Sequence, residues 1–357
     1  MSQQQQLYVF CGAYAEQGEQ GVTVYVFHED TGTMEEKGHY AELKNPTFLH
    51  VDAERELLYA ISETVDESGK RVGECAAFRI DKRQGDLELI NRKRNVDATL
   101  CHIQSNGSYL TVTSYHGGLV GLIGLQEDGS IGELQDVKQH EGRSVDPERQ
   151  QAPHPHSSFY SLDGQYLFVQ DLGLDRIISY RVNQSRGTLS KHGELELQGG
   201  AGPRHLAFHP SGKQAYVINE LDSTVSVMTY DSEKGELSVI QTISTLPEGY
   251  SGENGTAEIA VSRDGRFVYG SNRGHDSIVV FAVDGESGRL TTIQHISSGG
   301  GHPRHFALTP NGDHLLTANR DSNNIVVYAV NKETGLLALA EHEAQVSKPV
   351  CVIPVYL

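Results

Sequence analysis

The sequence predicts an all-β protein, a seven-bladed β-propeller with four antiparallel strands per blade. Three observations carry this: a repeat with a period near 50 residues, Gly- and Asp-rich turns between short apolar runs, and chain ends that each hold part of one unit. The units open at Pro46-Thr47-Phe48-Leu49-His50, Cys101-His102-Ile103, His154-Pro155-His156-Ser157, Gly202-Pro203-Arg204-His205, Thr256-Ala257-Glu258-Ile259 and His302-Pro303-Arg304-His305. Taking His50, His102, His156, His205, Glu258 and His305 as equivalent gives spacings of 52, 54, 49, 53 and 47. That period is too long for ankyrin or leucine-rich repeats and suits propeller blades.

Within each unit an opening strand leads through a turn such as Ser211-Gly212-Lys213, Asp264-Gly265-Arg266 or Asn311-Gly312-Asp313. In these turns Gly, Asn and Asp accept the positive φ of a tight hairpin. A second strand follows, then an alternating third such as Ser277–Val283. Residues 7–40 carry later strands with no opening strand before them, whereas Lys348-Pro349-Val350-Cys351-Val352-Ile353 looks like an opening strand with nothing after it. The C-terminal strand should therefore join the N-terminal blade and close the ring, removing an open sheet edge. Residues 1–357 are expected to form a single domain, in place of the two that length alone suggests.

Composition narrows the function. Lys and Arg number 29 against 47 Asp and Glu, a net charge of −18 that disfavours nucleic-acid binding. A local cluster of cations can still take a small anion. No run of 18 apolar residues predicts a membrane span, and the N-terminal Met1-Ser2-Gln3-Gln4 stretch has no secretory pattern. Cys11, Cys75, Cys101 and Cys351 lack metal or redox spacing, so a cytoplasmic location is expected.

Propeller geometry brings the start of each first strand and the end of each second strand to one channel mouth. The first ring reads His50, His102, His156, Arg204-His205, Glu258 and Arg304-His305, with Cys351 in the closing blade. The second reads Tyr14, Glu63, Tyr115, Asp171, Glu220, Arg273 and Arg320. Such converging ionisable groups form a candidate site. His205, His209, His302 and His305 could instead bond blade to blade. His154-x-His156 resembles a metal pair, but strand alternation sends the two side chains to opposite faces and no third ligand follows, so no metal is expected.

The stretches Pro153-His154-Pro155-His156-Ser157, Asp171-Leu172-Gly173-Leu174-Asp175-Arg176-Ile177 and Gly202-Pro203-Arg204-His205-Leu206-Ala207-Phe208-His209-Pro210 resemble the lactonase seven-bladed propeller family. That family includes bacterial propeller-type 6-phosphogluconolactonases and cofactor-free fungal carboxy-muconate cyclases. The resemblance covers essentially the whole chain and implies His156, Arg204, Glu220 and Arg273 as catalytic residues. His154, His205, Arg304, His305 and Arg320 are expected to bind substrate beside them. The sequence departs from the family pattern at His116, in Tyr115-His116-Gly117-Gly118, and in the charged loop from Glu141 to Gln151.

The function so implied is hydrolysis of a sugar-acid lactone, 6-phosphogluconolactone, by a cofactor-free monomer. Water must attack an ester carbonyl, which needs a base such as His156 or Glu220 and cations such as Arg204 and Arg273 facing the oxyanion. No Gly-x-Ser-x-Gly elbow is present to suggest a serine nucleophile. The alternatives are lactone formation on a muconate-type diacid, a non-catalytic interaction scaffold, and a haem-like redox use. The scaffold should carry large aromatics at the mouth, and the chain has no Trp.

Overall fold

A computed structural model describes residues 5–357. Its 28 strands form seven four-stranded antiparallel sheets, with no helix among the described residues. Blade 1 runs from Pro349–Tyr356 through Leu7–Ala13 and Val22–His28 to Thr33–Tyr40. The C-terminal strand is thus its inner strand, in register from Leu7 opposite Tyr356 to Gly12 opposite Cys351. Blades 2 to 7 begin with the inner strands Leu49–Asp52, His102–Ser105, Pro155–Tyr160, Pro203–Phe208, Gly255–Val261 and Pro303–Leu308. Each inner strand touches those of both neighbouring blades, and the contacts run unbroken around the ring.

The apolar core lies between blades. Strand alternation gives every blade two apolar faces, so Tyr8 and Phe10 pack against Leu58 and Phe78 of blade 2. Leu7, Val9 and Cys11 turn the other way, onto Leu316, Ala318 and Ile325 of blade 7. Seven such clusters fill the seven interfaces. Buried tyrosines on second strands add a repeated bond: Tyr59, Tyr216 and Tyr269 donate to the carbonyls of Gly129, Gly288 and Gly335 on the next blade, at 3.1, 3.2 and 3.0 Å. Each satisfies a hydroxyl that would otherwise be buried unpaired.

One irregularity recurs and positions the site. On blade 4 Pro155 pairs with Asp171 and Ser157 with Gln170, leaving His156 as the extra residue of a bulge. On blade 5 Pro203 pairs with Asn219 and His205 with Ile218, leaving Arg204. On blade 7 Pro303 pairs with Asn319 and His305 with Ala318, leaving Arg304. Proline fits this place because it has no N–H to give the ladder, and a bulge re-aims the extra side chain.

The ladder corrects the sequence alignment. His156 is equivalent to Arg204 and Arg304, and Ser157 to His205 and His305, a shift of one residue. On blade 2 the ring position falls to Phe48, whose ring lies 4.4 Å from His102, 5.7 Å from His205 and 5.6 Å from His305. His50 pairs with Tyr59 further along the strand and is not part of the cavity wall. In the second ring the blade 4 position belongs to Leu172, one residue beyond Asp171. Asp171 is fully buried and structural, accepting from the His154 amide at 2.7 Å and meeting His140 Nδ1 at 2.6 Å.

Candidate active site

The channel mouth opens into a cavity of about 420 Å³, within the range of small-molecule sites. His156, Arg204 and Arg304 enter it from the bulges, and Glu220 and Arg273 from the ends of second strands. Gly202, at φ 65°, starts the turn that delivers Arg204, and a Cβ there would collide with Leu221 and Leu172.

Glu220 is the electrostatic centre. Its Oε1 accepts from Arg149 Nη2 at 2.7 Å, and its Oε2 faces Arg204 Nε at 3.1 Å and Arg273 Nη2 at 2.9 Å. His156 Nε2 stands 4.0 Å from the same Oε2. Burial alone would raise the Glu220 pKa, but Arg273, Arg204 and Arg149 outweigh it and hold the carboxyl well below the usual carboxylate range. Both of its oxygens are thus occupied by guanidiniums. Burial, and after it Arg204, drives the His156 pKa well below the ordinary imidazole value, so the ring is neutral at pH 7. Its Nδ1 is buried without a hydrogen-bond partner among the described residues.

The arginines divide by what holds them. Arg204 also donates to the Ala257 carbonyl at 2.6 Å, and Arg273 to those of Gly255 and Thr256 at 3.1 and 2.5 Å. Arg304 lies 6.0 Å over the Tyr14 ring and has no carboxylate within 4.0 Å among the described residues. It is therefore a cation free to meet a ligand.

Below the arginines a second buried carboxylate, Glu258, sits between two imidazoles, 3.0 Å from His205 Nδ1 and 3.2 Å from His305 Nε2. Burial pushes its pKa up against the opposing pull of His305 and Arg204. His205 and His305 thus line the cavity and also bond blade to blade. His209 stands outside the cavity wall, meeting Ser211 Oγ of its own turn at 2.7 Å and, across the interface, the Gly265 carbonyl at 3.0 Å.

Two expected substrate-binding residues stand outside the cavity wall. His154 contacts the Tyr115 carbonyl through Nδ1 at 2.7 Å and stacks on the Tyr115 ring at 4.2 Å, so it supports a wall residue. Arg320 occupies the position equivalent to Glu220 and Arg273, but it pairs with Asp321 at 2.6 Å and reaches His302 at 3.3 Å. The next residue explains the diversion, since Glu220 and Arg273 are followed by Leu221 and Gly274, which offer no carboxylate. Conversely Arg149, from the charged loop after blade 3, enters the cavity although no sequence repeat marks it. His116 lines the wall beside it. Among the described residues no group of three His, Cys, Asp or Glu is placed to hold a metal ion.

Comparison with known proteins agrees with this architecture. Residues 8–354 match the family model described as Lactonase, 7-bladed beta-propeller. A 6-phosphogluconolactonase of Bacillus subtilis is 34% identical over 299 residues, 83% of each chain. One from Formosa agariphila is 33% identical over 80% of this chain and 81% of its own. Among solved structures, a Lactobacillus plantarum protein superposes with TM-score 0.90 at 31% identity, covering 99% of this chain and 100% of its own. The periplasmic gluconolactonase of Pseudomonas aeruginosa gives 0.89 at 32% identity, covering 98% and 99%. With a model match over nearly its whole length, this chain belongs to the seven-bladed β-propeller lactonase family.

Proposed function

We propose that the protein hydrolyses a sugar-acid lactone, 6-phosphogluconolactone, to 6-phosphogluconate. One observation carries the reading: a neutral, buried imidazole shares a cavity with four guanidiniums, and the carboxylate nearest to it, Glu220, is fully engaged by three of them. A water oxygen attacks the lactone carbonyl while its proton passes to His156. The negative charge that develops on the carbonyl oxygen faces Arg304, the cation without a carboxylate partner, with Arg204 behind it. Collapse of the tetrahedral intermediate breaks the ring C–O bond, and the departing alkoxide takes the proton from His156. Glu220, 4.0 Å from His156 Nε2, stabilises the imidazolium formed between these steps and need not itself titrate. The names of the Bacillus and Pseudomonas relatives support this substrate class.

The test is acid release in a pH-stat from 6-phosphogluconolactone, glucono-δ-lactone and muconates, with EDTA present. The wild type is expected to turn over the phosphorylated lactone. His156→Ala should lower kcat/KM at least about 100-fold, the lower bound for a positioned base. A wild type inert on every lactone overturns the function, and a fully active His156→Ala overturns the choice of base.

A further inference from the structure

Arg149 is the member of the guanidinium cluster that the propeller repeat does not supply. It stands in the connection between the strands Ile131–Gln139 and Pro155–Tyr160. That connection is fixed in place: Gln150 is fully buried and donates from Nε2 to the Leu172 carbonyl at 2.8 Å. Asp146 accepts the Glu148 and Arg149 amides at 2.8 and 2.9 Å, and Ser144 donates to Asp175 at 2.5 Å.

The Arg149 side chain itself is loosely committed. Arg204 and Arg273 hold backbone carbonyls besides Glu220, so neither can turn away without orphaning a buried group. Arg149 donates only to Glu220 and to the Tyr115 hydroxyl, at 2.7 and 3.3 Å, among the described residues. Its side chain is 45% exposed, against 3% for Arg204 and 10% for Arg273.

We propose that Arg149 determines specificity for the phosphate of the substrate, turning from Glu220 to that phosphate when the lactone binds. The inference rests on the lactonase reading above and deepens it. A guanidinium fork suits a phosphate dianion, and the exposed rim is where such a group loses least hydration. Tyr115 completes the subsite. Its hydroxyl accepts from Arg149 and keeps a proton to donate, and burial pushes its pKa up, so that proton stays on. Glu220 tolerates the exchange because Arg204 and Arg273 remain on it. Arg304 stands on blade 7, over Tyr14 of blade 1, so the carbonyl and phosphate ends are held from different sides of the mouth. Losing one of its three cations also moves the Glu220 pKa up, back toward the ordinary carboxylate value.

The experiment is calorimetric titration of 6-phosphogluconate and gluconate into the wild type, Arg149→Gln, Arg149→Lys and Arg304→Gln, with lactone hydrolysis measured in parallel. The wild type should bind the phosphorylated acid at least tenfold more tightly. Arg149→Gln should shrink that preference below twofold while leaving gluconate affinity within twofold. Arg149→Lys, which keeps the charge and loses the fork, should fall between. Arg304→Gln should weaken both ligands and preserve their ratio. A preference that survives Arg149→Gln, an equal loss on both ligands, or a wild type with no preference overturns the proposal. Absence of turnover with the binding preference intact would instead overturn the lactonase reading alone.

Discussion

Glu220 and Glu258 occupy one channel, with side chains equally buried at 9% exposure, and are pushed in opposite directions. Glu220 meets guanidiniums, which keep their charge when buried, and its pKa falls. Glu258 meets imidazoles, which can give theirs up, and its pKa rises. Burial raises both, so depth does not decide whether a carboxyl is ionised. The decision lies with the partner's ability to shed a proton.

Substitution can break the comparison. Glu220→Gln leaves Arg204 and Arg273 buried without their anion and should cost about 3–5 kcal/mol in urea unfolding at constant m. The histidines around Glu258 give the next effect. An unfolded imidazole binds its proton near pH 6.5, whereas burial, against the pull of Glu258, brings His305 down to about 4. Between those values the unfolded chain holds more protons, so stability present above pH 6.5 is lost as the pH falls toward 4. For His305 alone the loss from pH 7 to 5 should be about 2 kcal/mol, and a flat urea midpoint over that range would refute it. Glu258→Gln, replacing a carboxyl already drawn toward its neutral form, should cost only about 1 kcal/mol. A loss equal to that of Glu220→Gln would abolish the distinction. Smallest is Arg320→Gln, expected to change stability by no more than about 0.5 kcal/mol and kcat/KM less than twofold, because its partner is a half-exposed neighbour.

The repeat and the ring closure were legible because both follow from apolar alternation, which the sequence records directly. So was the convergence of His156, Arg204, Glu220 and Arg273 on one mouth, since each sits at a strand end fixed by that repeat. Alternation failed where the ladder slips. A bulge adds one residue without changing composition, so the repeat aligns His156 with His205 and His305, whereas its equivalents in the ladder are Arg204 and Arg304. Pro155, Pro203 and Pro303 were the available signal, each standing just before the extra residue. On blade 2 the repeat points to His50, whereas the cavity position belongs to Phe48, two residues earlier, whose ring meets His102. Arg149 had no periodic marker at all. Its place depends on a buried glutamine and an aspartate turn within a non-repeating connection.

Closure of blade 1 has a consequence for how the molecule forms. The strand 349–356 seats beside the first strand, and the two ends bond directly, Gln6 N to Leu357 O at 3.2 Å and Leu357 N to Gln6 O at 3.1 Å. Because Gln6 and Leu357 are so far apart in sequence, the seam is a strongly non-local pairing, and it must await synthesis of the strand 349–356. Tyr14 and Val350, which flank that seam, both line the cavity. The cavity wall is therefore complete only once the strand 349–356 has been made and seated, so a ribosome-bound intermediate can hold folded blades before it holds a whole site.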